Sequence, residues 1–220
     1  FKDFRMFFLQ HRNDDDIKRT IGKTLEDSFS ILSGVTDPLQ LAEFKKEYVK
    51  EADTHMTVNT VLFLETKSVL IALKDSGARI GIISTKFRYR IKELLDQHFP
   101  EDFLDIIIGG EDVKTPKPSP EGLLLAIKQL HVTKAETLYI GDSTVAETAQ
   151  KAGVDFAGIT HGMTTAEELQ RYPHKKIMDS LEELLKQEPL PAKAPKNSNV
   201  RQIIFLLALS AALAALFYFL

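Results

Sequence analysis

The chain contains no cysteine among its 220 residues. That absence removes disulfides, thiolate zinc sites and cysteine nucleophiles together, and it suits a reducing compartment. A charge of one sign is missing too: 28 Lys and Arg face 31 Asp and Glu, a formal net charge of -3 with a pI near 6.1. Without a broad basic field the composition gives no support to nucleic-acid binding. A secretory leader is also not visible, because Lys2, Asp3 and Arg5 interrupt an apolar run that is too short for one. The length fits one domain with a small second module.

Apolar residues make up 44% of the chain, and 17 of the 18 residues from Ile203 to Leu220 are apolar. As a helix that uncharged run would be roughly 27 Å long, close to the ~30 Å hydrocarbon layer of a bilayer. A buried core helix is the alternative. The run follows a Pro-rich polar stretch, Gln187 to Asn199, that reads as an extended tether. We therefore expect a linker over 188–200 and a transmembrane helix over 201–220. Lys186, Lys193, Lys196 and Arg201 outweigh Glu188 on its flank, which predicts a membrane-anchored protein with its domain on the cytoplasmic side.

The first part of the chain has a helical rhythm. Ile17, Ile21, Leu25 and Phe29 recur at spacing four, and Leu39, Leu41, Phe44 and Tyr48 form a second stripe. A small all-helical unit over 1–63 is expected. Further on, short apolar runs at 79–84, 104–108, 137–140, 154–159 and 176–178 alternate with helical segments. Runs of that kind are strands covered on both faces, so residues 64–187 predict a parallel α/β sheet with ligands at its carboxyl edge.

Three clusters fall at such strand ends. Ser84-Thr85-Lys86 ends an apolar run with two hydroxyls and an amine before a helix, which suits a helix cap or a bound phosphate. Lys114 to Pro120 reads Lys-Thr-Pro-Lys-Pro-Ser-Pro, either a stiff surface turn or a loop that holds Lys117 against an anion. Gly141-Asp142-Ser143 follows another apolar run, either a plain turn or a carboxylate able to ligate Mg2+.

Taken together and in this order, the three resemble the second, third and fourth motifs of the haloacid dehalogenase superfamily of phosphohydrolases, and most closely its phosphoglycolate phosphatase-like branch. The resemblance covers about residues 12 to 187. It implies a Rossmann-like parallel sheet with an all-helical cap, and Mg2+-dependent hydrolysis of small phosphorylated metabolites through an aspartyl-phosphate intermediate. In that scheme Ser84 hydrogen-bonds the phosphoryl group, Lys117 stabilises its charge and Asp142 holds the metal. Thr85, Lys86 and the cap residue Lys23 are candidate substrate contacts; Lys23 also reads as a solvated helix lysine.

Two features depart from the family pattern. The first motif, Asp-x-Asp-Gly-Thr after an apolar strand, is absent, and Asp14-Asp15-Asp16 instead reads as acids at a helix start. The nucleophile goes with that motif, so the chain as it stands is expected to be inactive, with a truncation before Phe1 as the expected cause. The missing strand is central in the family, between those ending at Ser84 and Asp142, and its loss would leave two inner edges open. In the fourth motif Ala146 stands where a second acid is usual, and Glu147 is the candidate substitute metal ligand. The alternative function is a non-catalytic module that binds a ligand or partner at a membrane.

Overall fold

The computed structural model describes residues 14–20, 23–161, 164–186 and 204–208. They fall into two compact units that divide between Val61 and Leu62.

The first unit is helical, with α1 (Asp14–Lys18), α2 (Leu25–Ser33) and α3 (Pro38–Asn59). Thr24 starts α2 by accepting a hydrogen bond from Asp27 N at 3.0 Å. Gly34, at φ 76°, ends it, a backbone angle that favours glycine. Ile17, Phe29 and Leu32 form the core, with Leu25, Leu41, Phe44 and Tyr48 packed against them. Phe29 meets the edges of Phe44 and Tyr48 at ring separations of 6.0 and 5.9 Å. Leu39, placed in the second stripe by its spacing, is 78% exposed and takes no part. It sits in the first turn of α3, where Asp37 Oδ1 accepts from its N–H at 2.8 Å.

The second unit carries α4 (Thr66–Asp75), β1 (Arg79–Ile83), α5 (Arg88–Leu95), β2 (Ile106–Ile108), α6 (Glu121–Gln129), β3 (Thr137–Gly141), α7 (Ser143–Ala152), β4 (Asp155–Ile159), α8 (Ala166–Leu169), β5 (Lys176–Met178) and β6 (Ile204–Ala208). All six strands are parallel, in the order β2-β1-β6-β3-β4-β5. Ile83, Ile108, Leu123, Tyr139, Val145, Ala149 and Phe156 belong to one buried cluster between sheet and helices. Each large side chain there contributes roughly 1.5–3 kcal/mol by leaving water.

The position of β6 corrects two expectations. Ile204 to Ala208 do not belong to a membrane helix: they pair with Arg79 to Ile83 on one side, and Ile204 to Leu207 pair with Thr137 to Ile140 on the other. Among the described residues no helix is long and apolar enough to cross a membrane. A central parallel strand and a bilayer span both demand an uninterrupted apolar run, so hydropathy does not separate them. The two inner edges expected to stand open are likewise closed, because β6 fills the place between β1 and β3. The linker 188–200, and residues 201–203 and 209–220 of the expected span, lie outside the described residues.

Candidate active site

Because the strands are parallel, β1 and β3 deliver Ser84 and Asp142 to the same carboxyl edge, on either side of β6. Ser84 is buried; its N–H donates to the Ile108 carbonyl at 2.9 Å and its Oγ accepts from Lys86 N at 3.1 Å. The loop that follows is stapled to the turn after β2. Gly110 N donates to the Lys86 carbonyl at 3.0 Å, Arg88 N to Glu111 Oε1 at 2.8 Å, and the Arg88 guanidinium to Asp112 Oδ1 at 2.6 Å. Gly110 passes so near Thr85 that a Cβ on it would stand 2.5 Å from the Thr85 carbonyl oxygen. Only glycine permits that approach.

Burial would raise the Asp112 carboxyl, but hydrogen bonds from Arg88 and from Gly109 N outweigh it and hold the carboxyl below its usual range. Lys86 is half-buried with its ammonium enclosed by protein, and that burial, with Arg90 nearby, pushes it down to about 8. Lys117, in the loop between β2 and α6 and joined to Pro118 by a cis peptide, is also lowered by burial, while the Asp142 carboxylate pulls it back up. Burial raises the Tyr139 hydroxyl as well, and Asp142 adds to that effect. Tyr139 Oη has no hydrogen-bond partner among the described residues. Lys117, Asp142 and Tyr139 therefore share one electrostatic neighbourhood at the sheet edge.

Asp142 is the N-cap of α7, where its Oδ1 accepts from Val145 N at 3.1 Å. Glu147 points elsewhere: it pairs with Lys151 one turn on, at 2.8 Å, and is 40% exposed. Among the described residues no three acidic or histidine side chains gather to hold an ion. A magnesium site is therefore not complete in them, and Glu147, the expected substitute ligand, is committed to a surface ion pair. The helix turns the position of the usual acid, Ala146, into the core at 1% exposure. Lys23 lies in the helical unit, exposed, next to the residue that caps α2.

The model of the haloacid dehalogenase-like hydrolases matches residues 2–159. The chain belongs to that family. It is 31% identical over 131 residues to the phosphoglycolate phosphatase of Colwellia psychrerythraea, an alignment covering 59% of this chain and 58% of that protein. It is 32% identical over 149 residues to the phosphoglycolate phosphatase of Salmonella typhi, covering 67% and 58%. The chain thus spans less than two thirds of the length of these curated relatives. Among solved structures, a haloacid dehalogenase-like hydrolase from Bacteroides fragilis superposes with a TM-score of 0.79 at 55% identity, covering 83% of this chain and 90% of that one.

In this haloacid dehalogenase-like chain, the residues that shape the site differ in part from those the motifs pointed out. Glu121, the first residue of α6, accepts from Lys114 N and Thr115 N with its two oxygens, each at 2.9 Å. It therefore closes the loop that carries Lys117. An acid in a first helical turn reads as a dipole complement; nothing local says that it reaches back six and seven residues. Those two N–H donors hold the Glu121 carboxyl below its ordinary range. A carboxyl lowered by folding contributes order above its unfolded pKa and loses it as pH falls through the folded value. We expect the Lys114 and Thr115 amides to lose hydrogen-exchange protection on acidification. Glu121→Ala should remove that protection at neutral pH. Unchanged amide protection in Glu121→Ala would show that the loop is held by other means.

Proposed function

We propose that the chain is the phosphate-ester-recognising part of a phosphatase acting on small phosphorylated metabolites. The observation that carries this is the enclosed Lys117 ammonium beside Asp142, at the edge where Ser84 also ends its strand. Two enclosed ammonium groups, Lys86 and Lys117, are suited to the oxygens of a phosphoryl group, and Ser84 Oγ is placed to donate to one of them. The curated relatives' names, phosphoglycolate phosphatases, and the family membership support a small phosphorylated substrate.

Turnover in this family's manner needs a carboxylate that attacks phosphorus and an acid that protonates the departing alkoxide; water then cleaves the acyl phosphate to inorganic phosphate and frees the carboxylate. The place for that carboxylate, between Ser84 and Asp142, is taken by β6, and residues 203–220 contain no acid. With β6 seated, the chain binds a phosphate ester without hydrolysing it, which favours the binding module as the second reading. Attachment to a membrane with the domain on the cytoplasmic side is the competing fate of the same apolar run. Sheet pairing of Ile204–Ala208 and membrane crossing exclude one another, and flotation of the full chain with lipid vesicles separates them.

The test is hydrolysis of an aryl phosphate and of 2-phosphoglycolate by the full chain with Mg2+, with and without an added N-terminal Asp-x-Asp-Gly-Thr strand, alongside calorimetry with inorganic phosphate. Phosphate binding by the chain alone, and hydrolysis only with the added strand seated between β1 and β3 in place of β6, is the expected result. Hydrolysis by the unextended chain would show that the acid sits elsewhere. Failure of folded protein to bind phosphate in either form would overturn the recognition role.

A further inference from the structure

The segment that leads from β1 into α5 carries an aromatic pair that phosphate recognition leaves unused. Ser84 to Lys92 reads Ser-Thr-Lys-Phe-Arg-Tyr-Arg-Ile-Lys, with four cations and no acid. Phe87 stands in the cap position of α5, where a side-chain acceptor such as serine or aspartate is the usual choice. A phenyl ring cannot cap. The turn after β2 supplies an acceptor instead, since Glu111 Oε1 accepts from Arg88 N at 2.8 Å. Position 87 is thereby released from capping and given to an aromatic side chain.

Its ring lies nearly parallel to that of Tyr89, with centroids 5.9 Å apart and 16° between the planes. Tyr89 is held at its hydroxyl as well: Arg90 Nε donates to Tyr89 Oη at 2.9 Å, and the guanidinium carbon lies 5.5 Å from the ring centroid. Arg90 is itself buried, so the anchor is fixed, yet Tyr89 is 49% exposed. A tyrosine at the surface ordinarily keeps its rotamer freedom. This one is restrained at ring and hydroxyl while about half of it meets solvent. A ligand that stacks on such a ring does not have to immobilise it first, which is how rigid aromatic side chains add affinity.

The pair adjoins the groups suited to a phosphoryl oxygen. Lys86 N donates to Ser84 Oγ at 3.1 Å and the Lys86 carbonyl accepts from Gly110 N at 3.0 Å, so the backbone entering the pair is tied down. Tyr89 comes three residues after Lys86, and three residues extend at most roughly 10 Å. Arg90, which holds the Tyr89 hydroxyl, stands near enough to the Lys86 ammonium for its charge to lower it. Arg88, between the two rings in sequence, is engaged by Asp112 at 2.6 Å.

We propose that Phe87 and Tyr89 form a platform for the alcohol part of the substrate, so that the phosphate esters this chain selects carry a planar aromatic group beside the phosphoryl group. Tyr89 is the specificity-determining contact, and Phe87 and Arg90 are positioning residues that hold its ring. Placing the phosphoryl group beside Lys86 rests on the phosphate-ester reading, which the platform deepens by naming a substrate class. A saturated ring of similar size fills space but lacks the flat π face that stacks, so planarity rather than bulk is recognised.

Calorimetric titration of the full chain with inorganic phosphate, phenyl phosphate and cyclohexyl phosphate tests the platform. Phenyl phosphate should bind roughly 3- to 30-fold more tightly than inorganic phosphate, and cyclohexyl phosphate should fall well short of it. In Tyr89→Leu, which keeps apolar bulk without a ring, the phenyl and cyclohexyl esters should bind alike. Tyr89→Phe keeps the ring but loses the bond to Arg90, and should retain part of the preference. A thermal midpoint close to the parent's shows that each variant is folded. Equal binding of the two esters by the parent, or a phenyl preference that survives in Tyr89→Leu, overturns the platform while phosphate binding stands. If folded parent protein binds none of the three, the phosphate-ester reading itself fails and the platform falls with it.

Discussion

Replacing Leu206 by proline should open the centre of the sheet. In the register, Leu206 lies between Gly81 of β1 and Tyr139 of β3, in the middle of a strand paired on both sides. Proline has no N–H to give to that ladder, and a central strand tolerates it poorly. The carbonyl left without a donor costs roughly 1–3 kcal/mol by itself, a large share of the ~5–15 kcal/mol that holds a domain folded. The amides of Arg79–Ile83 and Thr137–Gly141 should therefore lose most of their exchange protection, whereas those of α2, in the helical unit, should keep theirs. Leu206→Val, which preserves the N–H and the strand preference, should behave as the parent. If the proline variant protects β1 and β3 as well as the parent does, β6 is not what closes the sheet. The same variant bears on function, because Ser84 and Asp142 are held on either side of β6 and would lose their common frame.

Much of this fold was legible in the sequence because its strands are buried on both faces. Arg79 to Ile83 and Thr137 to Gly141 are short, almost continuously apolar and bounded by turn residues, and their positions follow from that pattern alone. The motif residues that end them, Ser84 and Asp142, were equally readable. The C-terminal run failed by the same logic, since apolar continuity states that a segment is surrounded by nonpolar matter without saying whether that matter is protein or lipid. The carboxylates that shape the loops were not legible at all. Glu121 on Lys114 and Thr115, Asp112 on Arg88, and Glu65 on His161 bind partners six to nearly a hundred positions away. No local spacing announces such contacts. Glu147, a candidate ligand by its resemblance to the family's fourth motif, also pairs with Lys151 at spacing four, a contact that the motif does not announce.

Lys117→Met should reduce the affinity of the full chain for inorganic phosphate by roughly 10- to 100-fold, the worth of one charge-assisted contact. Burial already lowers this ammonium and only Asp142 opposes that, so the methionine relieves a desolvated charge and the variant should remain folded. An unchanged affinity would remove Lys117 from the site. Lys86 adds a pH signature that separates it from Lys117. Its folded value of about 8 lies below the ~10.4 of an exposed lysine, so between those limits the unfolded chain holds a proton that the folded chain has released. Unfolding then takes up a proton, and stability should rise with pH across that window. Phosphate binding should move the other way, because the neutral amine no longer attracts the anion. Lys86→Arg stays charged and should retain affinity at about pH 9, where the parent has weakened. Should parent and arginine variant weaken alike above about pH 8, the titrating group is not Lys86, and the second ammonium must be withdrawn from the phosphate site.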